Sequence, residues 1–348
     1  MTTIKIDVTA MIEFLVGLLN TPSPTGYAGL AIDYVQAAFA SLPFEMQRTP
    51  KGLLVGTWAG ERVDSPRAVT AHVDTLGAMV SRIKPNGRLR LSQLGSWAWG
   101  SVEGEGVTVF TSEGGQIRGT ILPTTASAHA HSLPERQKPA DERMMEVRLD
   151  VRTNSAHETL ALGVRVGDFI AFDPRVELSE SGFIRSRHLD DKAGVATIYG
   201  ALQAIAAAGL TPKQRTTLHL SHYEEVGHGA ATGFPPDLAE LLTVDMAVVA
   251  PGQQCDEFSV GICAKDSRGP YHLDLRRRLE RLAEAEEIPY QTDVYPFYGS
   301  DGEAYWRAGG DVQVALIGPG VDASHHYERT HRESLEHTAR LIAAYLLN

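Results

Sequence analysis

The sequence predicts an α/β protein: a mostly parallel sheet flanked by helices, carrying an inserted small all-β, barrel-like domain. Three observations predict the architecture. Strand-like runs alternate with helical periodicity near both ends of the chain. Between about Ser81 and Phe172 helical periodicity is scarce, and short alternating runs are punctuated by glycine. The helical run from Ala193 to Ala208 is built of alanine and small apolar residues, which suits burial on a sheet. The expected division is a discontinuous α/β domain, residues 1–76 and 179–348, around an inserted β domain at 77–178.

The elements follow in order. Val8 to Leu19 is apolar on a helical period, with Thr9 as a cap and Asn20-Thr21-Pro22 as a stop. A rigid Pro-rich loop, Thr21 to Gly26, leads to a second helix from Ala28 to Phe39. Leu53 to Thr57 and Ala68 to Ala71 read as strands, the latter running into His72-Val73-Asp74-Thr75. Residues 126–141, with Pro134 and Pro139, form a loop. Thr216 to Leu220 is a strand that leads into Ser221-His222-Tyr223-Glu224-Glu225-Val226-Gly227. Met246 to Val249 is a short buried strand after Asp245, Leu273 to Glu286 a helix with a charged outer face, and Val312 to Ile317 a strand. A final helix is expected from Thr330, where Thr330 and Glu333 have capping-box spacing, to Leu347.

Composition narrows the function classes. Of 348 residues, 43% are hydrophobic and 22% charged, an ordinary globular balance, and the formal net charge of -11 argues against a phosphate-backbone binder. No nucleic-acid or membrane partner is expected: the N-terminus lacks a signal-peptide pattern and no apolar run is long enough to span a bilayer. Two cysteines, Cys255 and Cys263, cannot build a disulfide framework and read as reduced, buried thiols in a cytoplasmic protein.

Acidic and imidazole residues sit at several strand ends. His72 and Asp74 flank one residue, so both leave the same face. Asp190 and Asp191 precede a helix, Glu224 and Glu225 end a strand, Asp245 begins or ends another, and Ser324-His325-His326-Tyr327-Glu328-Arg329-Thr330-His331 precedes the last helix. In a parallel sheet these ends converge on one crevice. Mixed imidazole and carboxylate ligands suit zinc, cobalt or manganese, and four or five of them with a shared carboxylate suit two metals. Each element has a plainer reading: a solvated acidic turn for Glu224-Glu225, a helix-dipole partner for Asp191, a cap for Asp245. His129, His131, His188, His222 and His228 read as structural.

The order of the motifs resembles the tetrahedral (glutamyl) aminopeptidase family of cocatalytic metallopeptidases nearly end to end. The resemblance rests on Thr21-Pro22-Ser23-Pro24-Thr25-Gly26-Tyr27, Ala71-His72-Val73-Asp74-Thr75-Leu76-Gly77, Leu189-Asp190-Asp191-Lys192-Ala193-Gly194, Glu224-Glu225-Val226-Gly227-His228-Gly229-Ala230, Gly269-Pro270 and Gly299-Ser300-Asp301-Gly302. It implies an aminopeptidase acting on short peptides with two divalent metal ions per subunit. His72, Asp190 (bridging), Glu225, Asp245 and a C-terminal histidine would be ligands. Glu224 would be the general base and Asp74 the carboxylate that orients His72. It also implies a homo-oligomer. The family's Arg-Tyr-x-His-Ser pattern is replaced here by the histidine-rich segment. His325 fits the family's interval to the final helix with a single deletion and is the expected ligand, with His331 the alternative ligand or supporting group. Residues 250–254 and the 126–141 loop are similar to a subgroup associated with synthesis of an N-acetylglutaminylglutamine amide osmoprotectant. Related metallohydrolase chemistry, deacylation or carboxypeptidase action, would need a cationic clamp such as Arg268 or Arg329. A glycosidase is disfavoured, because adjacent Glu224 and Glu225 cannot flank one bond from opposite sides. A non-catalytic metal-binding scaffold would be expected to lack Glu224.

Overall fold

A computed structural model describes residues 4–348. The chain forms two compact units, Met1–Asp74 with Arg175–Asn348, and Thr75–Pro174.

The first unit is built on a twelve-stranded mixed sheet. Its centre is four parallel strands in the spatial order Gln214–Ser221, Arg62–His72, Glu240–Val244, Gln313–Asp322. The margins are antiparallel. Leu54–Trp58 pairs with Gln214–Ser221 and carries Glu45–Arg48 beyond it, while Val260–Lys265 pairs antiparallel with Gln313–Asp322. Short connections such as 323–327, between Gln313–Asp322 and Glu328–His331, produce antiparallel neighbours, whereas the parallel core needs long crossovers. Ala68, Val69, Thr70 and Ala71 are all buried, as expected of a strand covered on both faces.

The long helix Leu189–Ala207 lies in this core: Val195, Ile198, Leu202 and Ile205 join Leu15, Leu18, Leu341 and Leu346 in one apolar cluster. Its small residues let other elements approach closely. A Cβ at Gly200 would stand 2.7 Å from Met11 Sδ. At Gly318, in the strand Gln313–Asp322, a Cβ would stand 1.7 Å from the Asp245 carbonyl oxygen, so only glycine lets this strand pass.

The structure departs from the sequence expectations in several places. The first helix, Val8–Leu19, is capped by Asp7, whose Oδ1 accepts from Ala10 N at 3.0 Å, and not by Thr9. The strand ending at His72 begins at Arg62; its first residues are exposed and charged and lack an apolar alternation. Asp245 precedes the expected short strand, Ala247–Val249, but also directly follows a buried strand absent from the sequence expectations, Glu240–Val244. The final helix is Arg332–Leu347 and does not start at Thr330. Thr330 and His331 belong to the strand Glu328–His331, whose backbone is taken by pairing with Phe183–Ser186; the Thr330 hydroxyl donates to Gly320 O at 2.6 Å instead of capping.

The second unit is a closed antiparallel barrel with strand order Gly77–Ile83, Leu89–Leu94, Met145–Leu149, Gln116–Pro123, Gly106–Phe110, Phe169–Phe172. It encloses its own core, including Val80, Leu91, Val109, Ile121, Val147 and Ile170. The 126–141 stretch contains a four-residue helix, Leu133–Arg136, with a capping box of Ser132 and Glu135. Cys255 and Cys263 are buried free thiols. No helix among the described residues is long and apolar enough to cross a membrane.

Away from the carboxyl ends of the parallel strands, Arg67 and Glu240 are register partners on adjacent strands. Arg67 Nε lies 3.3 Å from Glu240 Oε2, Arg278 Nη1 donates to Oε1 at 2.9 Å, and Tyr345 Oη donates to Oε2 at 3.0 Å. Burial pushes the Glu240 carboxyl up, but the hydrogen bond and charge of Arg278, with Arg67, outweigh it and hold it below the usual carboxylate range. A depressed folded pKa contributes stability that is present above the ordinary glutamate value and lost as pH falls through the depressed one. Glu240→Gln should cost about 3–5 kcal/mol near neutral pH, as for other broken buried pairs. Denaturant unfolding at a series of pH values should show the gap to wild type narrowing in acid. A gap independent of pH would mean that the charge contributes nothing.

Candidate metal centre

The carboxyl ends of the parallel strands bring the site together. His72 is the last residue of its strand, in register with Ser221. Its ring is fixed on both sides: Nδ1 lies 2.9 Å from the Asp74 carbonyl oxygen and 3.6 Å from Asp74 Oδ1, and Nε2 faces Asp190 Oδ1 at 3.2 Å and Glu224 Oε2 at 3.7 Å. With the Nδ1 proton directed at Asp74, the Nε2 lone pair is available to a cation.

Asp190 and Asp191 have non-helical dihedrals at the start of their helix, with a cis peptide between them. The two side chains do different things. Asp191 accepts from Gly194 N at 3.1 Å and His72 N at 3.4 Å, serving the helix start and the neighbouring strand. Asp190 points into the crevice with Oδ1 toward His72 and Oδ2 toward His325 Nε2, 3.4 Å away.

Glu224 and Glu225 occupy a single 3-10 turn between Tyr223 (φ 77°) and Gly227 (φ 84°). The buried Asp74 carboxylate organises this turn. It accepts from Glu224 N at 3.2 Å, Glu225 N at 3.4 Å and Thr25 Oγ1 at 2.6 Å. The turn's far end is held by Lys51, which donates to the His228 and Gly229 carbonyls, and by Asp301, which accepts from Ser221 Oγ and Ala230 N. Glu224 thus faces His72, while Glu225 Oε2 lies 3.7 Å from His325 Nε2. Ligand atoms of His72, Asp190 and Asp245 all fall within 4.8 Å of one another.

The electrostatics are those of an excess of carboxylates. Burial lowers the proton affinity of His72, but hydrogen bonds with Asp190 and Asp74 outweigh it and raise its pKa well above the ordinary value. Burial pushes the Asp190 carboxyl up, yet His325 and His72 hold it well below the carboxylate range. Glu225 and Asp245 are pushed up to about 8, by burial and then by the charge of Asp190. Glu224 is raised well above its ordinary value by burial and the charges of Asp245 and Asp301, against the opposing effect of His72. Glu225 Oε1 is buried without a hydrogen-bond partner. An orphaned carboxylate oxygen among like charges fits a cation site, and the N/O donor set fits zinc, cobalt or manganese.

Of the residues singled out by sequence, His72, Asp74, Asp190, Glu224, Glu225, Asp245 and His325 meet here. His331 does not. It caps the last helix, accepting from Glu333 N at 3.3 Å, and its Nε2 lies 2.8 Å from Ser181 O among Phe183 and Phe258. His222 is structural, its Nε2 accepting from Gly26 N at 2.7 Å and its ring stacked on Tyr223. Sequence reasoning assigned no role to Asp301, although its Gly299-Ser300-Asp301-Gly302 motif was visible. It also missed Lys192, fully buried and pushed down to about 7 by burial, whose Nζ donates to Leu18 O at 3.0 Å and Thr21 O at 2.7 Å.

Comparison with known proteins agrees with this geometry. The profile of the M42 glutamyl aminopeptidase family matches residues 52–341. "Putative aminopeptidase YhfE" of Bacillus subtilis (strain 168) is 43% identical over 334 residues, covering 96% of each chain. Among solved structures, the TET aminopeptidase of the marine sediment archaeon Thaumarchaeota archaeon SCGC AB-539-E09 superposes with a TM-score of 0.89 at 19% identity, covering 97% of each chain. The Pyrococcus horikoshii TET1 peptidase, described as able to assemble into a tetrahedron or a large octahedral shell, gives 0.85 at 22% identity, covering 97% of this chain and 99% of that one. At these identities the two structures establish a shared fold. The chain belongs to the M42 glutamyl aminopeptidase family and is a peptidase of the hydrolase class.

Proposed function

We propose that this protein is a binuclear metal-dependent aminopeptidase that removes N-terminal residues from short peptides, with Glu224 as general base. The observation that carries the reading is the placement of Asp190 between two imidazoles, one oxygen toward His72 and the other toward His325. Two cation positions sharing Asp190 follow. One would be held by His72, Asp190 and Asp245, the other by Asp190, His325 and Glu225. Divalent zinc, cobalt or manganese there supplies Lewis acidity to the attacking water and to the scissile carbonyl.

The chain's own groups do the proton work. Glu224, raised in proton affinity by its buried surroundings, takes the proton from water as the water oxygen bonds to the carbonyl carbon. It returns that proton to the nitrogen when the C–N bond breaks, releasing a free amine. Asp74 keeps Glu224 on the His72 side by holding the turn's N–H groups, and keeps His72 in one orientation. Of the two arginines that could clamp a substrate carboxylate, Arg329 is already engaged in a two-pronged pair with Glu257, at 2.8 and 2.7 Å, which leaves Arg268 alone for deacylase or carboxypeptidase chemistry. The proposal includes a homo-oligomer, by likeness to the shell-forming TET1 peptidase. It also includes the osmoprotectant subgroup, which makes N-acetylated dipeptides the right comparison substrates.

Chelation should abolish hydrolysis of free dipeptides, with zinc, cobalt or manganese restoring it, and N-acetylated dipeptides should be poor substrates. Elemental analysis should find about two ions per chain, as in cocatalytic sites; one ion in fully active enzyme contradicts the scheme. Glu224→Gln should lower kcat by about 10²-fold or more with metal content unchanged, whereas Glu225→Gln should lose metal. The opposite pattern would exchange the two roles. Asp245→Asn removes one of the crowded charges, so the metal-free variant should melt at or above metal-free wild type. Its rise in melting temperature on adding zinc should be smaller than that of wild type. An undiminished rise would remove Asp245 from the ligand set.

A further inference from the structure

We propose that Glu328 is a positioning residue that sets the geometry of the binuclear site by holding Asp190 and His325 through their backbone N–H groups. The inference rests on the metal-dependent reading above. Glu328 is 1% exposed, and its carboxylate reaches two segments that are remote in sequence. Oε2 accepts from Asp190 N at 3.2 Å, and Oε1 accepts from His325 N at 3.0 Å.

Both segments need such a hold. Asp190 stands where the first turn of its helix is not yet helical, and His325 has φ 65° in a loop that also carries Ala323 at φ 58°. Left-handed backbone costs a non-glycine residue roughly 1–2 kcal/mol, so this loop keeps its shape only where other contacts enforce it. The carboxylate itself is mounted firmly. The Glu328 backbone lies in the strand Glu328–His331, paired with Ser186, four residues before Asp190. One side chain anchored in the sheet therefore locks the residue between the two imidazoles to one of those imidazoles.

The chemistry makes the carboxylate specific. Each oxygen meets one N–H. A glutamine would offer one oxygen and one NH2 group, setting a donor against a donor, and an aspartate is one methylene too short to reach both N–H groups. Loss of Glu328 should thus loosen the His325 side of the site most, because there it frees both His325 and Asp190, whereas on the His72 side only Asp190 loses a contact.

The test uses full-length metal-free wild type, Glu328→Gln, Glu328→Asp and Glu240→Gln. Each is titrated with zinc against a chromophoric chelator, with thermal melting and steady-state kinetics in parallel. Wild type should bind two ions. Glu328→Gln should bind one ion about 10–100-fold more weakly, the usual scale for outer-shell partners of a metal ligand, and the other with a clearly smaller loss. Its kcat should fall with the occupancy of the weakened site. Glu240→Gln, a buried carboxylate remote from the site, should melt early yet keep both affinities, which separates positioning from general destabilisation. If Glu328→Gln does not fold, Glu328→Asp carries the same expectation. Two wild-type affinities in the folded Glu328 variant overturn this inference alone. Wild type that binds no zinc overturns the metal-dependent reading and this inference with it.

Discussion

The Asp74 carboxylate is the fixed point of the site. It lies fully buried beyond the end of the central strand and takes hydrogen bonds from Thr25 and from the backbone of both Glu224 and Glu225, while standing beside His72 Nδ1. Burial pushes its proton affinity up, but His72 and Thr25 outweigh burial and keep it low. It therefore stays ionised and can serve as acceptor to every donor around it. Two adjacent glutamates on a free turn would share one environment. Here the anchored turn sends one to each side of Asp190, and the division of labour proposed for them rests on that constraint.

The sheet distributes charge unevenly along its strands. Near the starts of the parallel strands, the Glu240 charge is matched by those of Arg67 and Arg278. At their carboxyl ends Asp190, Glu224, Glu225, Asp245, Asp301 and Glu328 gather against His72, His325 and, acting on Asp301, Lys51, and all except Asp190 are raised in proton affinity. Such a gathering is unfavourable for a chain alone. The paired end stabilises the fold, and the unpaired end is where the chemistry resides.

Much of this was legible in the sequence. The parallel core showed in strand-then-helix periodicity, the barrel in its glycine-punctuated alternation, and the site in acidic and imidazole residues at strand ends. What stayed hidden has physical reasons. The strand Arg62–His72 begins with exposed charged residues that carry no apolar alternation. Thr330 and Glu333 have the spacing of a capping box, but strand pairing with Phe183–Ser186 claims the backbone at Thr330. That pairing also carries His331 away from the crevice and His325 into it. The supporting carboxylates Asp301 and Glu328 reach the backbone N–H groups of Ala230 and Asp190, far away in sequence, an interaction that leaves no local pattern.

The discontinuity of the first unit has a consequence for how the protein is made. The barrel is one contiguous stretch, Thr75–Pro174, and has all its partners as soon as it leaves the ribosome. The strand Arg62–His72 is synthesised earlier but sits at the centre of the sheet, between neighbours at Gln214–Ser221 and Glu240–Val244. Its buried apolar half must remain unpaired through the synthesis of the whole barrel and the long helix that follows. Such non-local pairing is slow and leaves strand edges open to other chains. The crevice itself is complete only once His325 has been made, after Asp74, Asp190, Glu225 and Asp245, so assembly of the candidate site waits for the last of these segments in chain order.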